Sequence, residues 1–175
     1  MPNVQPCEVP TPSFLRKYKD GLGYADCYFL EVAGCVAQSA YVEAFYTTRL
    51  FKLERTLLKY LASKPACDAD VKRLAAGQAS IFSAWRVEAQ SASELLLADF
   101  TGRTRSWLMA VPVEGAATPI TRLYFGSAVV PRTETPAQKA SMGWLFHALL
   151  GFHRLYSRLL LRAASGRLRQ QNASF

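Results

Sequence analysis

The stretch Ile81–Val130, IFSAWRVEAQSASELLLADFTGRTRSWLMAVPVEGAATPITRLYFGSAVV, decides the fold class of this chain. Ser83–Gln90 (SAWRVEAQ) alternates apolar and polar side chains, the period of a strand. Ser91-Ala92-Ser93 reads as a turn and Glu94–Phe100 (ELLLADF) as the next strand. A tight turn around Thr101-Gly102 leads into Arg103–Val113 (RTRSWLMAVPV), which alternates again. Gly115–Pro119 is a loop, and Thr121–Val130 (TRLYFGSAVV) is the last strand, stopped by Pro131. Connections this short join antiparallel neighbours, because a parallel pair needs a crossover of roughly a dozen residues.

Upstream, Tyr24–Ala33 (YADCYFLEVA) is rich in aromatic and β-branched residues and predicts a first strand ending at Gly34. From Ala37 to Ser63, Tyr41, Phe45 and Thr48 repeat at helical spacing, followed by Leu50, Leu53, Leu57 and Leu61, which predicts one long helix closed by Lys64-Pro65. A shorter helix is expected from Asp68, as N-cap, to Gly77. Downstream of the strands, Thr135-Pro136-Ala137-Gln138 fits a capping box and opens a helix expected to stop at Gly166. Such a helix spans about 45 Å, enough to lie across a whole sheet. The division expected is a Pro-rich arm over residues 1–22, one domain over 23–166 and a basic tail over 167–175. The spacing of Pro2, Pro6, Pro10 and Pro12 disfavours helix in the arm.

With 175 residues, 50% hydrophobic and 19% charged, the chain is one domain's worth of foldable sequence, neither disordered nor coiled coil. Met1–Pro12 lacks the basic and apolar regions of a signal peptide, and no apolar run approaches the ~20 residues that span a bilayer. Cys7, Cys27, Cys35 and Cys67 form no CxxC pair, and with two histidines no metal-ligand spacing occurs. The expectation is a cytoplasmic protein with reduced thiols, no metal and no cofactor. The net charge of +8 is concentrated after Glu134, where no acidic residue follows. Arg154, Arg158 and Arg162 make a basic ridge at i, i+4, i+8 beside an apolar stripe of Leu145, Leu149, Phe152, Tyr156 and Leu160. That pattern suits a core helix with a basic outer face, and also a surface for anionic membrane or an acidic protein. No recognised nucleic-acid motif accompanies the charge.

The order strand, two helices, antiparallel strands, long helix is that of a curved antiparallel sheet gripping a C-terminal helix. In this order, over residues 24–165, the α+β chain resembles the START/polyketide-cyclase-like (SRPBCC, helix-grip) superfamily. GRTRSWL (Gly102–Leu108) and RLYFGSAVV (Arg122–Val130) also look like segments of an uncharacterised bacterial family associated with that fold. Five strands are visible here where the superfamily has six or seven, so a strand is hidden in Ile81–Gln90 or Gly115–Val130, or the fold is a hot-dog or another α+β sandwich. The resemblance implies a cavity between sheet and last helix that takes a lipid-, polyketide- or isoprenoid-like guest. Some members of the superfamily catalyse cyclisation or hydrolysis there.

The residues that would serve such a cavity are Trp85, Arg103, Arg105, Trp107, Tyr124, His147 and Gly151. Arg103, Arg105 and Trp107 share one strand face, and a guanidinium at the mouth can fork onto a carboxylate or phosphate. A bland alternative is a hairpin salt bridge between Asp99 and Arg103, worth ~0–1 kcal/mol. Arg86, Glu88, Arg122 and Tyr124 belong either to a solvated sheet face or to a polar strip that orients an apolar guest. His147 is a conceivable acid–base group; His153 lies too far around the helix to share a metal with it. Gly143 and Gly151 weaken a helix but leave room for a close neighbour or a ligand. No GxSxG, P-loop or HExxH occurs, so no catalytic residue is assigned and an enzymatic reading rests on the resemblance alone.

Overall fold

The chain runs β1 (Gln5–Pro6), α1 (Arg16–Lys19), β2 (Tyr24–Ala33), α2 (Gln38–Tyr46), α3 (Asp68–Ala75), β3 (Ile81–Phe82), β4 (Trp85–Gln90), β5 (Glu94–Asp99), β6 (Thr104–Pro112), β7 (Ile120–Val129) and α4 (Gly143–Asn172). This computed structural model describes residues 3–20, 24–53, 66–130 and 143–172, and the side chains of α4 from Arg154 to Gln171. The strands form one open antiparallel sheet of seven in the order β1-β2-β7-β6-β5-β4-β3. The meander supplies β4 to β7, and β2 adds to β7 over ten residue pairs, from Tyr24↔Val129 to Ala33↔Ile120.

Two strands exceed the five expected. One is β3, cut out of Ile81–Gln90 by a turn in which Ser83 takes a positive φ of 54°. The other is β1, inside the N-terminal arm, where Gln5 and Pro6 pair with Phe29 and Tyr28 of β2.

The helix expected over Ala37–Ser63 breaks after Tyr46. Thr47 and Thr48 turn their hydroxyls back onto the carbonyls of Glu43 and Phe45, and the Phe51 N–H donates to Thr48 Oγ1 at 3.2 Å. Threonine hydroxyls compete with helical hydrogen bonds in this way and cap the next turn. A new helical segment covers 49–53; residues 54–65 lie outside the described residues. At α3 the capping position is Cys67, one residue earlier than expected. Its N–H donates to Asp70 Oδ2 at 2.8 Å. That bond, with Arg73 beside it, holds the Asp70 carboxyl at a pKa of about 2.

The Thr135–Gln138 capping box lies outside the described residues. At its other end α4 passes through Gly166 and continues to Asn172 instead of stopping. The apolar stripe carries it onward: Leu160, Leu161, Ala164 and Leu168 are all buried, and a stop at Gly166 would strand Leu168 in water.

The sheet is covered on both faces. On one, α2, α3, β3 and α4 enclose Leu30, Leu95, Leu97, Leu108, Leu123 and Phe125. Gln38 Nε2 and Tyr41 OH tie α2 to the backbone carbonyls of Leu108 (3.1 Å) and Tyr124 (3.0 Å). On the other face the N-terminal arm lies over Cys27, Leu96, Trp107, Met109, Tyr124 and Ala128. Val9 and Leu15 are the arm's buried anchors. Gly126 makes this approach possible, because a side chain there would stand 2.5 Å from Leu15 Cδ2 and 3.0 Å from both the Asp26 carbonyl and the Trp107 ring.

Candidate functional site

Alternation along the strands sorts the candidate residues between the two faces. Trp85 packs on the helix side, against the main core. Arg105 and Trp107 of β6 and Tyr124 of β7 lie on the arm side, turned away from α4 and not toward it. The physical reason is register: Ser106, Leu108 and Ala110 take the helix side, which leaves the odd-numbered residues for the arm. Arg103 is exposed at the start of β6, beside the β5–β6 turn. His147 and Gly151 lie in the part of α4 whose side chains are outside the described residues. Trp107 and Tyr124 are brought into contact, with ring centroids 6.0 Å apart.

Beneath the arm these residues build a polar clamp. A one-residue bulge between Val87 and Ala89 falls at Glu88, and its carboxylate reaches Lys17 (2.6 Å) and Arg105 (2.6 Å). Tyr18 OH donates to Glu88 and accepts from Arg105 Nε at 3.0 Å, while the guanidinium lies 4.7 Å over the Tyr18 ring. Glu94 Oε2 accepts from both Trp107 Nε1 and the Phe14 N–H, each at 2.8 Å. Asp99 serves the turn, accepting from the N–H groups of Thr101 (3.3 Å) and Thr104 (2.9 Å).

Burial pushes the Glu88 carboxyl up, but the hydrogen bonds from Lys17 and Tyr18 and the Arg105 charge outweigh it and hold its pKa below 4.5. A depressed carboxyl stabilises the fold above its unfolded pKa and loses that contribution as pH falls through the folded value. Glu88→Gln should therefore destabilise by about 1–3 kcal/mol at neutral pH, and by clearly less at about pH 3. Urea melts of both proteins at the two pH values check this; a gap independent of pH would remove Glu88's charge from the account.

The helix-side face carries a different group of polar residues, at the end of the sheet where β2 begins. Tyr24, Asp26 and Tyr28 alternate along β2 toward the helices. Ser127 opposite donates its hydroxyl to Asp26 Oδ1 at 2.5 Å. Ser106 stands next to Ser127 in register, and its hydroxyl is 3.3 Å from Tyr46 OH. From α4, Arg154 Nε donates to Tyr24 OH at 3.2 Å, and the Arg158 guanidinium sits 5.2 Å over the Tyr28 ring. Burial pushes the Tyr28 phenol up to about 12, helped by the nearby Asp26 and Tyr24 and opposed by both arginines.

This arrangement can hydrogen-bond a polar group through a carboxylate, hydroxyls and phenols, and attract an anion through two guanidiniums. Among the described residues, no group of three or more His, Cys, Asp or Glu side chains is arranged to hold a metal ion. Trp85 stands four strands away from Asp26, about 19 Å at the usual strand spacing, and is not part of the group. Sequence reading passed over Asp26 and Ser127. The available signal was Asp26, a charged residue at a helix-side position of a strand whose later positions on that side, Leu30 and Val32, are apolar.

No family model, curated protein or solved structure matches this chain. Among the described residues, no helix is long and apolar enough to cross a membrane.

Proposed function

We propose that this chain is a helix-grip protein of the START/polyketide-cyclase-like kind that binds an amphipathic small molecule between its sheet and C-terminal helix. The polar end of that guest would meet Tyr24, Asp26, Tyr28 and Ser127, with Arg154 and Arg158 supplying positive charge. Element order supports the fold: one long strand, helices, the remaining long strands as a meander, then a terminal helix, with the first long strand beside the last. The observation that carries the function is the polar row Asp26–Ser127–Ser106 on the sheet face that also carries Leu30, Leu95, Leu97, Leu108, Leu123 and Phe125. Setting hydroxyls and a carboxylate into a core face costs desolvation, and an apolar row would pack there without it. Binding sites, in contrast, combine apolar walls with a few placed polar groups.

Native mass spectrometry of the freshly purified protein, before and after incubation with palmitate as an amphipathic anionic probe, tests this. The wild type should carry added mass, and Arg154→Glu/Arg158→Glu should weaken palmitate binding by at least about tenfold. Absence of any adduct on the wild type, or equal binding by the double variant, would overturn the reading.

An enzyme on the same scaffold is the second reading, favoured by the direct Ser127–Asp26 hydrogen bond. It separates from the first by product: Ser127→Ala would abolish chemical conversion of a bound ester while leaving retention of palmitate intact. A third use of the same helix is docking on anionic membrane or an acidic protein, because Arg154, Leu155, Arg158, Leu159 and Arg162 are all exposed. Co-sedimentation with phosphatidylserine vesicles, with Arg154, Arg158 and Arg162 changed to Glu, discriminates it.

A further inference from the structure

The arm crosses the outer sheet face through a pair of cysteines. The β1–β2 register pairs Gln5 with Phe29 and Pro6 with Tyr28, so the next position sets Cys7 opposite Cys27. The Cys7 N–H donates to the Cys27 carbonyl at 3.0 Å, which extends the ladder by that pair. Their sulfurs are 3.2 Å apart and share a hydrogen bond. Antiparallel partners have Cα atoms ~4.5–5.5 Å apart, inside the range that disulfides bridge. Closing the remaining gap to the ~2.05 Å of an S–S bond takes a rotation of the side chains and leaves the backbone in place.

The two thiols are not equivalent. Cys27 is buried, whereas Cys7 is half-buried at the margin of the arm. The hydrogen bond shared with Cys27 lowers the Cys7 pKa against the effect of burial, and Arg122 and Lys19 add to the lowering. The same bond and burial raise that of Cys27. A thiolate is the reactive form of cysteine, so Cys7 is the group a small oxidant reaches and Cys27 the one that resolves it.

We propose that Cys7 and Cys27 form a reversible disulfide that clasps the N-terminal arm to β2 in response to a peroxide. The Cys7 thiolate attacks hydrogen peroxide, takes one oxygen to become a sulfenic acid and releases hydroxide. The Cys27 thiol then attacks the Cys7 sulfur, forming the S–S bond, and its proton leaves with the sulfenic hydroxyl as water; the hydroxide takes up the proton that Cys7 released on ionising and becomes the second water molecule. Two thiols are oxidised to one disulfide while one peroxide is reduced to two waters, and a dithiol reverses the step. This inference concerns the face opposite the proposed guest site and does not depend on it.

The test uses the full chain carrying Cys35→Ser/Cys67→Ser, which removes the two exposed thiols. After one equivalent of hydrogen peroxide, alkylation with iodoacetamide should label neither remaining cysteine. Peptide mapping should find residues 7 and 27 linked within one chain. The melting temperature should rise by about 6–12 °C, the shift a disulfide closing a loop of this size confers, and return with dithiothreitol. Adding Cys27→Ser should leave Cys7 as a sulfenic acid that dimedone traps, and adding Cys7→Ser should leave Cys27 a thiol. Two alkylatable thiols after peroxide, links between chains instead of within one, or oxidation of Cys27 without Cys7 would each overturn the proposal.

Discussion

Trp107→Ala should lower the free energy of unfolding by about 3–5 kcal/mol, the usual loss for a fully buried large aromatic. Its indole has no exposure to solvent. It touches Tyr124, donates to Glu94 and lies beside Gly126, where Leu15 of the arm closes in. The loss goes beyond the cavity. Glu94 keeps its bond from the Phe14 N–H but loses the indole donor, leaving a half-buried carboxylate less well satisfied. Denaturant melts read the effect directly. A change below ~1 kcal/mol would mean that the arm and the sheet do not share a packed layer at this position.

Phe45→Ala should have an effect of the same size on the other face, about 3–5 kcal/mol. Phe45 is buried at the centre of a ring cluster, with centroids 4.9 Å from Phe125, 5.1 Å from Tyr46, 6.1 Å from Tyr41 and 6.4 Å from Phe51. These contacts join α2 and the helical segment after Thr48 to the sheet, so their loss loosens three elements at once. Thermal and urea unfolding of the variant check it. Phe45→Leu, which keeps most of the volume, should recover more than half of the loss.

The pattern of strands was readable because alternation is a direct record of pairing. Tyr24–Ala33 begins and ends where its aromatic and β-branched run does, and the turns at Ser91 and Gly102 sit between strands as their residue types require. What failed to be read was which face is which. Alternation gives two sets of side chains but not the sign, and Trp107 looked as suited to a cavity as to a packed interface. The run Leu95–Ala98, and Trp107–Ala110 after it, carried the missing information: four consecutive buried residues mean cover on both faces. The cover itself was hidden in a proline-rich stretch. There Val9 and Leu15 show no regular period, because the arm is neither one helix nor a continuous strand.

The polar group at Asp26 was hidden for a related reason. Asp26, Ser127 and Ser106 are far apart in sequence and meet only through the β2–β7–β6 register, a long-range pairing that local spacing does not encode. The break of the first helix at Thr47-Thr48 was legible in principle. Two adjacent threonines in a leucine-rich helical pattern signal a competing hydrogen-bond habit, yet the apolar spacing continues across them and masks it.

The outermost ribbons on either flank, Gln5–Pro6 and Ile81–Phe82, are each only two residues long. A second molecule arriving sideways at either of these ribbons therefore finds only a very short row of amide and carbonyl groups to zip onto, and on one flank it meets a proline that has no amide hydrogen to offer. Short outer ribbons of this kind weaken edge-to-edge stacking at the places they occupy.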